Sequence, residues 1–194
     1  MSLASLSVLI PAAGASSRLG QPKQLLEHKG KPLIHRAVEL AQSLSPREII
    51  VVTGAAASRV EAALKQLSVR CVHNPEWSTG MGGSIALGAG AVNPESSGLL
   101  ILLCDQWRIQ REDLVKLAGK WHASPEQIVC AMARGRLMPP VIFPPLFFDE
   151  LRQLRGDRGA HSLLKNNPDQ LYSMQMDNAY SDLDTPAQLQ DLEQ

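Results

Sequence analysis

Apolar residues follow two rhythms along this chain. Short, nearly unbroken apolar runs occur at 6–12, 48–53, 69–73, 99–104, 127–133 and 141–143. Runs of that length predict strands covered on both faces, as in parallel sheets. Between most of them, apolar residues recur three or four apart at 33–44, 58–66, 84–91, 111–121 and 146–154, which predicts amphipathic helices. Shorter helices are predicted at 162–166 and 186–192, the last opened by Thr185–Pro186 as cap hydroxyl and first-turn proline. This alternation predicts an α/β protein: a three-layer α/β/α sandwich around a mostly parallel, Rossmann-like sheet. No Pro/Gly/Ser-rich linker divides the 194 residues, so a single domain over 1–194 is expected. The apolar stretch 141–148 reads as core or as contact surface, with core favoured.

Charge changes the picture by subtraction. Lys plus Arg and Asp plus Glu both number 19, so no global field draws the chain to nucleic acid or an anionic membrane, and anion binding must be local. No apolar run approaches the ~18 residues of a membrane span, and the start lacks the order of a secretion signal. A cytoplasmic protein is the expectation. Cys71, Cys104 and Cys130 form no CxxC, and their apolar neighbours assign them to the core as free thiols. The five histidines form no HExxH, so zinc has little support.

In open parallel sheets, ligands bind beyond the carboxyl ends of the strands. Three segments that would occupy that edge are unusual: "IPAAGASSRLGQPKQLL" after the first strand, "HNPEWSTGMGGS" after the third and "CDQWRI" after the fourth. In the first, glycines such as Gly14 and Gly20 let backbone N–H groups approach phosphate oxygens, while Arg18 and Lys23 supply positive charge. The spacing is not that of a P-loop, since Gly14 and Gly20 enclose five residues, and GxGxxG is absent. Taken alone, the segment also fits an ordinary turn with solvated cations. Asp105 ends the apolar run "GLLILLC" and would emerge beside the first loop if the two strands are neighbours. A carboxylate facing phosphates calls for a cation between them, and Mg²⁺ is the common solution. Asp182 and Asp184 in "SDLDTP" would complete such a site, or Asp184 and Thr185 would cap the last helix.

Together, "PAAGASSRLGQPKQLL", "HNPEWSTGMGGSI", "LLCDQWRI", "PPVIF", "LRGDRGAHSLL" and "DLDTPAQL" resemble, in order and spacing, the nucleotidyltransferases of molybdenum-cofactor maturation. The opening is closer to the molybdopterin cytidylyltransferase branch than to the guanylyltransferase branch. The resemblance runs from about Ser7 to Leu189 and implies the nucleotidyltransferase type of sheet. It implies that Ala12, Ala13, Gly14, Arg18 and Lys23 wrap a triphosphate. Asn74, Gly80, Gly82 and Ser84 would line the base and ribose pocket. Asp105 and Asp184 would hold Mg²⁺, and Gly156, Asp157, Arg158 and Gly159 would lie on the acceptor side, where a helix N-terminus helps hold a phosphate. Two positions depart from the pattern: Trp107 stands where a proline is common, and Met138 where a glycine is common. Both are expected at the acceptor pocket.

The implied reaction is attack by an acceptor phosphate oxygen on the α-phosphorus of an NTP, with loss of pyrophosphate. Such an acceptor is already an oxyanion and needs no general base, in keeping with the absence of a GxSxG elbow or a His-based pair. Arg18, Lys23 and Asp105 would carry catalysis, with CTP as the expected nucleotide and molybdopterin as the expected acceptor. A sugar or alcohol phosphate acceptor, or a non-catalytic nucleotide-binding protein, are the alternatives. Trp107 is either a loop anchor or a stacking surface for a flat acceptor, and His161 is a helix-start residue at the surface.

Overall fold

The computed structural model describes residues 5–157, 159–180 and 183. The strands are β1 (Leu6–Ala12), β2 (Glu27–His28), β3 (Lys31–Pro32), β4 (Glu48–Thr53), β5 (Arg70–His73), β6 (Gly98–Ile101), β7 (Ile128–Ala133), β8 (Arg136–Phe143) and β9 (Leu171–Gln175). The helices are α1 (Leu33–Gln42), α2 (Ala57–Leu64), α3 (Met81–Gly90), α4 (Arg111–Ala123), α5 (Phe148–Arg152) and α6 (His161–Asn166). Seven strands form one sheet in the order β5-β4-β1-β6-β8-β7-β9, while β2 and β3 make a small separate hairpin. Six strands run in one direction and β8 alone opposes its neighbours.

Residue alternation along the central strands builds the two outer layers. Val8 and Ile10 of β1, Ile49 and Val51 of β4 and Leu100 of β6 meet α1, α2 and α4 on one face. Leu9, Ile50, Val52, Leu99 and Ile101 meet α3, α5 and α6 on the other. These central strands therefore present apolar residues to both faces, which is why their sequences read as runs rather than as alternations. The three-layer sandwich and its mostly parallel sheet follow from this packing.

Several expectations shift. β6 ends at Ile101, three residues early, and β8 starts at Arg136, five residues early. Prolines end the pairing with β6, and continued pairing with β7 carries β8 back to Arg136. Pro139 and Pro140 have no N–H to give a ladder, so β8 pairs with β6 only from Val141 onward. It bonds β7 on both sides of the prolines, across a register shift at Cys130/Ala131. The edge strand β9 and the β2–β3 hairpin were not expected, since neither carries an apolar run. Cys104 and Cys130 are buried free thiols, but Cys71 is exposed. It sits on the short edge strand β5, which is too peripheral to be covered. Within 141–148 Val141, Ile142, Phe143, Phe147 and Phe148 are buried, while Leu146 is 69% exposed. The helix expected at 186–192 lies outside the described residues. Among the described residues no helix is long and apolar enough to cross a membrane.

Candidate active site

β1 pairs with β4 on one side and with β6 on the other. Connections leave in opposite directions around it, so the crevice beyond its carboxyl end is the expected binding position of such a sheet. The chain leaves β1 through Ala13 and Gly14 and makes two short 3-10 turns, Ser17–Leu19 and Lys23–Leu25. Ser16, immediately before the first turn, adopts a left-handed conformation, φ 54°, and its Oγ accepts the Lys23 backbone N–H at 3.0 Å. Gln24 turns inward and is 1% exposed; its Nε2 donates to the carbonyls of Ala12 (3.0 Å) and Gly14 (2.8 Å). The loop thus closes on itself and carries Lys23 to a fixed place. From the other side, the extension of β6 beyond Leu102, whose N–H still reaches the Leu9 carbonyl at 3.0 Å, delivers Asp105. The Lys23 ammonium and the Asp105 carboxylate form an ion pair. Asp105 is 5% exposed, whereas the Lys23 side chain keeps 24% of its surface in solvent.

A cleft of about 420 Å³ opens above this pair. Ala13, Gly14, Arg18 and Lys23 line one side, Gly80 and Ser84 the other, and Asp105 and Asp157 also reach it. Eight of the expected residues therefore share one cavity. Ala12, Asn74, Gly82 and Gly156 do not line it, the first three being buried and Gly156 exposed. Asn74 is buried, donating to the Ser84 Oγ at 3.0 Å and accepting the Glu76 N–H at 3.0 Å, so it positions the start of α3. Gly80 has φ +118°, and a Cβ at Gly82 would lie 2.8 Å from the Arg155 carbonyl oxygen. The Gly82 N–H donates to the Gly156 carbonyl at 2.7 Å. Only glycines let the 155–157 segment lie this close to the first turn of α3. Arg158, Asp182 and Asp184 lie outside the described residues.

The site's neighbours refine its chemistry. Burial, reinforced by the Asp105 charge, pushes the Cys104 thiol up to about 12, so it is no nucleophile at neutral pH. Among the described residues no group of three His, Cys, Asp or Glu side chains could hold a metal by itself. The two departures from the family pattern occupy different places. Met138 lines an apolar pocket of about 100 Å³ that shares Met81 and Leu103 with the cleft and also receives Gly159 and His161. Trp107 lines a separate hollow of about 370 Å³ with Lys29 and Arg36, its ring 4.8 Å from that of His28 and 4.7 Å below the Arg108 guanidinium. The expected phosphate-holding helix after "GDRG" is α6, which has six residues and starts at the apolar pocket.

Two buried residues escaped the sequence analysis. Gln24 follows Lys23, and Gln106 follows Asp105; Gln106 donates to the carbonyls of Pro139 (2.7 Å) and Ala179 (2.8 Å). The available signal was a glutamine set in apolar surroundings, in "KQLL" and "LLCDQW".

A small-residue loop after the first strand, a cation from that loop and a carboxylate from the central strand's neighbour together make a cleft suited to a polyanion. Residues 8–171 match the family described as the MobA-like NTP transferase domain. The chain belongs to that family. Among curated relatives of this transferase domain, a probable molybdenum cofactor guanylyltransferase of Rhodopirellula baltica is 32% identical over 155 residues, 77% of this chain and 72% of that protein. Nicotine blue oxidoreductase of Paenarthrobacter nicotinovorans is 38% identical over 96 residues, 49% of this chain and 47% of its own length. The bifunctional protein GlmU of Legionella pneumophila is 29% identical over 172 residues, 87% of this chain. The chain thus spans about half of the former relative and a third of the latter. The crystal structure of Rv0371c from Mycobacterium tuberculosis superposes with a TM-score of 0.87 at 25% identity, covering 99% of this chain and 98% of that one. A manganese complex of Rv0371c superposes at 0.82 and 23% identity, covering 96% and 97%.

Proposed function

We propose that this domain transfers CMP from CTP to the phosphate of molybdopterin and releases pyrophosphate. The reading rests on one observation above all: the Lys23–Asp105 pair at the cleft that Ala13, Gly14 and Arg18 also line. The choice of CTP rests on the likeness of the opening segment to the cytidylyltransferase branch. The choice of molybdopterin rests on the name of the Rhodopirellula relative.

In this reaction an acceptor phosphate oxygen forms a bond to the α-phosphorus as the bond to the bridging oxygen breaks, and pyrophosphate leaves with that oxygen and its electron pair. No proton need move, because nucleophile and leaving group are both anionic. The protein's work is alignment and charge neutralisation. Arg18 as a planar fork and Lys23 as a point charge would take up the charge of the departing pyrophosphate. The side chains suit magnesium. Asp105 offers hard carboxylate oxygens with no group of three protein ligands around them among the described residues, and magnesium is typically held by one or two carboxylates plus substrate phosphates. Held by Asp105 and Asp184, the ion would supply further neutralisation of the phosphate oxygens. The manganese complex of Rv0371c supports a divalent ion on this fold.

The test is a thermal-shift panel of CTP, GTP, ATP and UTP with Mg²⁺, followed by pyrophosphate release with molybdopterin. A ligand at 100 times its Kd adds about 2.7 kcal/mol, which for a chain of this size raises the midpoint by about 5–10 °C. A shift confined to CTP, with release dependent on molybdopterin, is the expected result. A shift confined to another nucleotide overturns the choice of base. No shift with any of the four overturns the reading.

A further inference from the structure

The two charged residues that meet in the cleft share a local arrangement. Lys23 is followed by Gln24 and Asp105 by Gln106, and both glutamines are buried. Each directs its amide nitrogen at two backbone carbonyls from segments distant in sequence or turned back on themselves: Ala12 and Gly14 for Gln24, Pro139 and Ala179 for Gln106. Among the described residues, each leaves its Oε1 buried without a hydrogen-bond partner. An unpartnered interior oxygen opposes stability, so a residue chosen for packing alone would be apolar here. What the amide offers is a pair of donors directed at two carbonyls at once.

We infer that Gln24 and Gln106 are positioning residues for nucleotidyl transfer, Gln24 setting the phosphate loop and Lys23, Gln106 setting Asp105. This rests on the transfer reading above. For Gln24 the geometry is direct. The carbonyl and the N–H of a trans peptide point in opposite directions, so gripping the Ala12 and Gly14 carbonyls turns the N–H groups of Ala13 and Ala15 away from Gln24. Both residues line the cleft. The same grip fixes the middle residue of the turn Lys23–Leu25, and with it Lys23 beside it, against the end of β1. For Gln106 the anchors are β8 and the 3-10 turn Asp177–Ala179. They hold the chain just after Asp105, where β6 has already ended and no ladder bond restrains it.

The test uses inorganic pyrophosphate and Mn²⁺, so that it depends on neither base nor acceptor. Pyrophosphate binding is measured by calorimetry and Mn²⁺ binding by electron paramagnetic resonance, in wild type, Gln24→Met and Gln106→Met. A displacement of ~1 Å is enough for large losses at such sites. Gln24→Met is expected to weaken pyrophosphate about tenfold or more. Gln106→Met is expected to weaken Mn²⁺ in the presence of pyrophosphate by about the same factor, and to weaken it more than it weakens metal-free pyrophosphate binding. Double-mutant cycles supply the readout that a purely structural role would not move. Gln24→Met should add little to the pyrophosphate loss of Lys23→Met, and Gln106→Met little to the Mn²⁺ loss of Asp105→Asn. Gln24→Asn and Gln106→Asn keep an amide but shorten its reach to the two carbonyls, and they replace the methionine variants if those fail to fold. Wild-type affinities in the variants, or fully additive cycles, overturn the positioning roles. Failure of the wild-type protein to bind pyrophosphate overturns the transfer reading itself.

Discussion

Asp105 and Lys23 are unequal partners, because the carboxylate is almost wholly buried and the ammonium is not. Removing the lysine strands a buried charge, whereas removing the carboxylate leaves a cation that can turn to water. Lys23→Ala is therefore expected to cost on the order of 2 kcal/mol of stability, less than for a deeply buried pair, and Asp105→Asn well under that. Both should lower pyrophosphate release by about 10²–10³. Urea unfolding beside a turnover assay checks the contrast: equal stability losses contradict the burial argument, and wild-type turnover in either variant contradicts the site. That Arg18, Lys23 and Asp105 meet at one cleft was legible in the sequence because a charge amid small or apolar residues demands an explanation. Gln24 and Gln106 were not, because an amide reads the same whether it faces water or two carbonyls.

The elements that bring the 80–84 segment to the cleft depend on glycine. A methyl at Gly82 meets the Arg155 carbonyl at 2.8 Å, and backbone cannot yield as a flexible side chain does. Gly82→Ala is expected to separate the 155–157 segment from α3, costing about 1–3 kcal/mol. Because Gly80 and Asp157 both reach the cavity, NTP binding should weaken with it. Gly119→Ala, with nothing within 4 Å of the new methyl, should leave both properties unchanged; denaturant midpoints and nucleotide titrations of the two variants decide the matter. At this scale β1 and β4 were readable to the residue, since burial on both faces forces a continuous apolar run. β9 was not, since an edge strand with half-exposed side chains has no such constraint. The start of β8 was hidden by its prolines, which signal a break although hydrogen bonds to β7 resume beyond them.

Across the whole molecule, the three thiols report on layer and edge. Cys71 lies on the edge strand, and its thiol is raised by partial burial and then by Glu61; burial pushes Cys104 and Cys130 up to about 12. A disulfide reagent at pH 8 should therefore label one thiol in the native protein and three after unfolding. Rapid native labelling of all three would contradict the packing around β6 and β7. The two buried thiols also set an alkaline limit. Their folded pKa values lie above the ordinary 9.0, so the stability they contribute is complete below that pH and is lost as pH rises from about 9 toward 12. The midpoint of Cys130→Ala should fall less than that of wild type between pH 8 and 10.5. The strand order also has a consequence for biosynthesis. β1 leaves the ribosome first, and its flank for β4 is filled by residue 53, but the flank for β6 waits for residue 98. At ~5–20 residues per second, that interval of about 45 residues leaves this buried strand with an open edge for about 2–9 seconds. The nascent chain in that window is the form of this protein most in need of a chaperone.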